Sequence, residues 1–181
     1  MANRDGQDLA GRAVPGEAQL HAAAQRLLEA LDKADMMVAT AESCTGGYLS
    51  SLLTDIEGLS HAFDRGFVTY SAPSKQQVLG IDPALIERAG TVSEAVARAM
   101  VEGSLGRARA QLALAITGFA GSSDPHEREG PGVTYVAAAI PHQSWVYRVD
   151  FGERSRLEVR NLACAAALAV GMRALDWRAA L

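Results

Sequence analysis

The chain is poor in cysteine, histidine and positive charge, and each shortage removes a class of protein. Two cysteines in 181 residues, Cys44 and Cys164, lie far apart, which argues against a disulfide framework and against zinc-type spacing. The four histidines, His21, His61, His126 and His142, show no H-x-x-x-H pattern, so no metal site is expected. A formal net charge of −4 gives no reason to expect a nucleic-acid partner. No window approaches 18 strongly apolar residues, so no membrane partner is expected. The opening "MANRDGQDLAGRAVPGEAQ" lacks the apolar core of a signal peptide. A cytoplasmic protein is therefore expected.

What is present is an ordinary globular balance, 49% hydrophobic and 21% charged, long enough for one domain with a sizeable core. Residues 1–16 have no periodicity and are expected to form a flexible leader, with a single domain over 17–181. Leu20, Ala24, Leu27, Leu28 and Leu31 recur at helical spacing over 17–33. Strands are expected at 36–41, 62–72, 111–118, 133–140 and 144–151, the last two as a hairpin across 141–143. Helices are expected at 45–55, 74–80, 83–88, 91–110 (capped at Ser93) and 153–177. Helices alternate with the early strands, and the last strand pair is antiparallel. That order predicts an α/β fold, with a mixed, mostly parallel sheet of about five strands covered by helices on both faces.

Three clusters of small polar residues fall just after expected strands. The first is "AESCTGG", residues 41–47, where a strand hands over to a helix. Helix starts carry unpaired N–H groups, and glycine lets the backbone approach a ligand closely, which suits an anion or oxyanion. Plain capping by Ser43 or Thr45 explains the same residues. The second is "TYSAPSK", residues 69–75, with Tyr70, Ser71, Ser74 and Lys75. A desolvated lysine can act as general base to a serine, whereas a solvated lysine on a surface helix is the plainer alternative. The third is "ITGFAG", residues 116–121, where Thr117, Gly118 and Gly121 could wrap a phosphate or form a tight turn. Ligands collect at the carboxyl edge of parallel strands, so three such clusters converge on one cleft if these strands run parallel.

Other groups have less to offer. Asp124, His126, Glu127 and Glu129 could chelate, but a solvated acidic loop accounts for them. Cys44 could gain thiolate character at a helix start or be buried and inert. Arg154, Arg156 and Arg160 crowd the start of the last helix, where like positive charges are poorly placed, leaving some free to meet an anion or a neighbouring subunit.

"AESCTGG", "FDRGFVTYSAPSK", "TVSEAVARAM" and "ALAITGFAG" together resemble the C-terminal domain family of competence/damage-inducible protein CinA, over nearly the whole chain from about Ala18. The resemblance implies a three-layer α/β/α sandwich, usually a homo-oligomer, and a CinA C-terminal-like domain from residue 17 onward. It implies deamidation of nicotinamide mononucleotide to nicotinic acid mononucleotide and ammonia, with no metal or other cofactor. The family's proposed nucleophile falls on Ser43, and its acid–base residues on Tyr70 and Lys75. Substrate binding is carried to Glu42, Thr45, Gly46, Gly47, Thr117, Gly118 and Gly121. On this reading Lys75 takes the Ser43 proton directly or through Tyr70, and N–H groups around Thr45 to Gly47 hold the oxyanion. One departure stands out. Where the family commonly has a glycine-rich run and then K-P-V-G-T-V, this chain has "SSDPHEREGPGVTYV". Glu127 and Glu129 there would repel a phosphate. A nucleotide-binding module without turnover, or with altered specificity, is the alternative.

Overall fold

The computed structural model describes residues 9–11, 13–121 and 128–179. Six helices and five strands follow one another as α1 (Glu17–Lys33), β1 (Val38–Glu42), α2 (Tyr48–Thr54), β2 (Phe63–Val68), α3 (Ala72–Leu79), α4 (Pro83–Ala89), α5 (Glu94–Leu105), β3 (Leu112–Gly118), β4 (Val133–Ile140), β5 (Gln143–Asp150) and α6 (Arg156–Ala179). A short 3-10 turn, Ser60–Ala62, leads into β2.

The strands form one sheet in the order β2-β1-β3-β4-β5. β1 runs parallel to β2 and β3, while β3–β4 and β4–β5 are antiparallel. The sheet is therefore mixed as expected, but parallel in half of its pairings rather than in most. The division follows from the connections. Helices separate β1, β2 and β3, as a parallel return requires, whereas β4 turns straight into β5 at Pro141–His142.

Two apolar layers sandwich the sheet. On one face α1, α2 and α6 bury Leu27, Leu31, Leu52 and Leu168 against Val38, Leu112, Leu114 and Val136. On the other, Leu79, Ile86, Val96 and Met100 from α3, α4 and α5 cover Ala41, Ala113, Ala115 and Ala137. The alternation of strand side chains between faces assigns Val38 to one layer and Ala41 to the other. Burying each such leucine contributes on the order of 2 kcal/mol.

Boundaries moved where local chemistry dictates. The expected helix over 91–110 begins after Ser93, whose Oγ accepts the Val96 N–H at 3.3 Å, and stops at Leu105 before Gly106. The body also reaches upstream of residue 17. Leu9 is buried in the main core, Val14 packs against it, and the Pro15 carbonyl accepts from Asn161 Nδ2 at 3.1 Å. The described part of the leader is thus tied down. Residues 1–8 and 12, which share the expectation of flexibility, lie outside the described residues. Among the described residues no helix is long and apolar enough to cross a membrane.

Candidate active site

Because β1, β2 and β3 are parallel neighbours, their carboxyl ends, Glu42, Val68 and Gly118, share one edge of the sheet. The ladder continues one residue past β1 on each side. Ser43 N donates to Ile116 O at 3.0 Å, and Thr69 N donates to Glu42 O at 2.7 Å. Ser43 and Thr69 are thereby fixed side by side at the rim.

Lys75 reaches the same point from α3. Ser71 and Ser74 cap that helix reciprocally, Ser74 N to Ser71 Oγ at 3.3 Å and Ser71 N to Ser74 Oγ at 3.0 Å, with Pro73 in the first turn. These two serines are structural. One turn on, Lys75 points inward and is 0% exposed. Its Nζ donates to Ser43 Oγ at 3.1 Å and to Thr69 O at 2.7 Å. Burial without a carboxylate partner pushes the amine from 10.5 down to about 8. At neutral pH roughly a tenth of it is a free base. Lys75 meets Ser43 directly, and Tyr70 is 63% exposed at the rim.

Ser43 opens into a cleft of about 200 Å³ that Tyr70, Thr91, Gly118, Gly121 and Arg156 also line. Gly118 is needed there because a Cβ would stand 2.8 Å from both Thr134 Cα and Val133 O of the adjacent strand. Cys44 touches the cleft too, but burial pushes its thiol up to about 12, which keeps it protonated and inert as a nucleophile at neutral pH.

The handover from β1 to α2 differs from expectation. Glu42, expected to touch substrate, is fully buried and does not line the cleft. Its carboxylate accepts from Gly47 N at 3.1 Å, Leu49 N at 3.0 Å, Ser50 N at 2.8 Å and Ser50 Oγ at 2.6 Å. The anion at this helix start is thus the chain's own side chain, and neither Ser43 nor Thr45 caps the helix. Gly46 N is also engaged, to Ser43 O at 3.0 Å. Two of the three donors expected to hold an oxyanion are therefore committed within the turn. Gly47 holds φ at +94°, a left-handed conformation that glycine adopts without strain, and this brings its N–H onto Glu42. Thr45 is buried, its Oγ1 without a hydrogen-bond partner among the described residues, so it too is withdrawn from the cleft. Thr117 is likewise buried, its hydroxyl donating to Thr91 O at 3.0 Å. It shapes the wall formed by Thr91 instead of lining the cleft. Of the residues expected to bind substrate, Gly118 and Gly121 line the cleft, and Glu42, Thr45, Gly46, Gly47 and Thr117 stand behind it.

The basic cluster at the start of α6 divides into three roles. Arg154 Nε donates to Phe151 O at 3.0 Å, and Arg160 Nη2 donates to Thr45 O at 2.6 Å. Arg156 faces the cleft and has no ion-pair partner among the described residues. Its crowding with other cations was the sequence signal. Thr91 carried none, because its place depends on how the segment between α4 and α5 crosses the strand ends. Glu129, expected to repel anions, is neutralised. Arg148 binds both its oxygens, at 3.0 and 2.7 Å, and Tyr135 donates to it at 2.5 Å. Those bonds hold the Glu129 carboxyl below its ordinary range. Asp124, His126 and Glu127 lie outside the described residues. Among the described residues no group of three or more His, Cys, Asp or Glu could hold a metal ion.

Comparison with known proteins agrees with this architecture. Residues 20–175 match the family described as the CinA C-terminal domain. The Escherichia coli K12 protein named nicotinamide-nucleotide amidohydrolase PncC is 37% identical over 152 residues, 84% of this chain and 92% of that protein. A putative competence-damage inducible protein of Alkaliphilus oremlandii is 42% identical over 128 residues, 71% of this chain. The match spans 31% of that relative, so the chain corresponds to about a third of such longer proteins. The crystal structure of competence/damage inducible protein CihA from Agrobacterium tumefaciens superposes with a TM-score of 0.83 at 33% identity, covering 91% of this chain and 99% of that one. The chain belongs to the CinA C-terminal domain family.

Proposed function

We propose that this protein is an amidohydrolase that converts nicotinamide mononucleotide to nicotinic acid mononucleotide and ammonia through an acyl-enzyme on Ser43. The observation that carries the chemistry is the 3.1 Å contact between a fully buried lysine amine, with no carboxylate partner among the described residues, and a serine hydroxyl open to a cleft. The substrate class comes from the similarity to the E. coli protein named for that activity, nearly all of which this chain covers.

In the neutral amine the hydrogen bond reverses. Ser43 donates to the Lys75 lone pair, while an amine N–H continues to hold Thr69 O. Ser43 Oγ attacks the carboxamide carbon and its proton passes to Lys75. The oxyanion is received by the N–H of Cys44, the residue after the nucleophile and part of the cleft wall, since those of Gly46 and Gly47 are engaged within the turn. Collapse breaks the C–N bond, and Lys75 returns the proton to the leaving nitrogen, which departs as ammonia. Water then adds to the acyl carbon, gives a proton to Lys75, and the acid leaves as Ser43 is reprotonated. Arg156, which lines the cleft, receives the nucleotide phosphate, the role of a guanidinium with no ion-pair partner among the described residues. Tyr70 at the rim flanks the pyridine ring. The site sits in a homo-oligomer acting on a cytoplasmic nucleotide pool.

Ammonia release from nicotinamide mononucleotide by the purified protein tests the reading. Release that is lost in Lys75→Ala supports it. A protein that binds the nucleotide but yields no ammonia at any pH from about 6 to 10 is instead the non-catalytic module, because Lys75 titrates within that range. The divergent loop is the observation behind that second reading, and the neutralisation of Glu129 by Arg148 weakens it.

A further inference from the structure

The turn that carries Ser43 is gripped from two sides by opposite charges. Glu42 takes the N–H groups of Gly47, Leu49 and Ser50. From α6, Arg160 crosses to donate Nη2 to Thr45 O at 2.6 Å, and its guanidinium lies 5.5 Å from the centre of the Tyr48 ring. One charge therefore holds donors of the turn and the other holds an acceptor. Thr45 O also receives Tyr48 N at the longer distance of 3.2 Å, so the short charge-assisted bond to Arg160 dominates its orientation.

We propose that Arg160 is a positioning residue for the proposed acyl transfer, fixing the turn after Ser43 so that the serine hydroxyl keeps its place between Lys75 Nζ and the cleft. The inference rests on the reading of Ser43 as the nucleophile. The peptide plane that carries the Thr45 carbonyl also carries the Gly46 N–H, which donates back to Ser43 O at 3.0 Å. Arg160 therefore anchors, from a helix more than a hundred residues away, a plane hydrogen-bonded directly to the nucleophile's own backbone. Glu42 does not hold this plane, because its contacts begin at Gly47. A further observation separates this from ordinary packing. Arg160 Nε is buried without a partner among the described residues, a cost that an apolar side chain would avoid. Aromatic stacking and one long reach to a single carbonyl are a poor stability trade for that cost. They suit a group retained for the geometry of the turn.

The test uses Arg160→Lys and Arg160→Met in the full chain, with two readouts. One is steady-state ammonia release from nicotinamide mononucleotide. The other is the rate at which a fluorophosphonate labels Ser43, which needs the same placement of the serine hydroxyl but not the natural substrate. Both variants should lose on the order of 10²-fold in kcat and in labelling rate, the scale of an approximately 1 Å misplacement, with KM within about twofold. The midpoint of the pH–rate profile should stay where Lys75 puts it, because the base is untouched. Wild-type labelling and kcat in both variants would overturn the proposal. So would a rise in KM at unchanged kcat, which would make Arg160 a substrate contact, or a displaced pH midpoint, which would make it an electrostatic partner of Lys75. Thermal melting identifies a variant that fails to fold, and Arg160→Lys, which keeps charge and length, then carries the test. If the wild type labels at Ser43 but releases no ammonia from this nucleotide, the substrate assignment fails and the labelling rates alone decide. If the wild type does not label, the nucleophile and the role of Arg160 fall together.

Discussion

Replacing Lys75 by methionine keeps the volume of the side chain and removes the amine. The fold holds that amine at about 8 against an ordinary 10.5, because burial penalises its charged form. At about 1.36 kcal/mol per pKa unit, the charged lysine costs roughly 3 kcal/mol of stability near pH 7. Between about pH 8 and 10.5 the folded protein binds fewer protons at this site than the unfolded chain. Stability from Lys75 therefore rises with pH across that window, and about 2 kcal/mol returns between roughly pH 7 and 9.5. Lys75→Met should lack this rise. The assay is urea unfolding of both proteins at the two pH values, read as a difference of differences. Groups common to both cancel, including the Cys164 thiol, which burial pushes up and which lowers stability as pH climbs past 9. The Cys44 thiol, which burial pushes up and Lys75 pulls down, moves further up in the variant and stays protonated at both pH values, so it adds nothing to the difference. Loss of the Lys75 bonds to Ser43 Oγ and Thr69 O offsets part of the gain near pH 7, but it does not change the slope. A wild-type slope in Lys75→Met would refute the claim that this amine is desolvated, and with it the source of the base. The same titration governs rate. Activity should rise about tenfold per pH unit below 8 and level off above it, because the neutral amine is the active form.

Glu42→Ala should cost about 3 kcal/mol in urea unfolding, since it leaves Leu49 N buried without an acceptor and frees the start of α2; Glu42→Gln, which keeps one carbonyl oxygen, should cost less. Gly118→Ala should destabilise by about 1–3 kcal/mol, because its Cβ meets the backbone of β4, which cannot rotate away. Arg156→Ala should raise KM at least tenfold with kcat within about threefold, and inorganic phosphate should compete less well with substrate in that variant, as measured by steady-state kinetics.

Much of this was written in the chain. The apolar runs 36–41 and 111–118 announced the central strands, found at Val38–Glu42 and Leu112–Gly118, and helices between β1, β2 and β3 implied that these run parallel. Parallel strands bring residues 43, 69–75 and 118–121 to one edge, and the Ser43–Lys75 contact follows once α3 turns inward. What could not be read was direction within the turn. A glutamate before a helix looks equally able to face a ligand or to fold back on the backbone. The choice depends on where α2 packs, which is decided by Leu49, Leu52 and Leu53 against the core. The direction of Thr117 is hidden for the same reason, its hydroxyl finding a carbonyl 26 residues away. Arg160 was visible only as one of three crowded cations, since its acceptor lies 115 residues earlier. The charge of Glu129 looked hostile to a nucleotide because its pairing with Arg148 depends on the β4–β5 register, which sets Arg148 opposite Tyr135.

In the proposed acyl transfer a side chain from a strand end and one from a helix act as one unit, the hydroxyl giving its proton to a neutral amine as it bonds to carbon. The rate of ammonia release from nicotinamide mononucleotide by Ser43→Ala, near pH 9 where the wild-type base is free, tests this most directly. A fall of about 10⁴-fold or more with the fold intact is the predicted result. Turnover within a few-fold of wild type would contradict it.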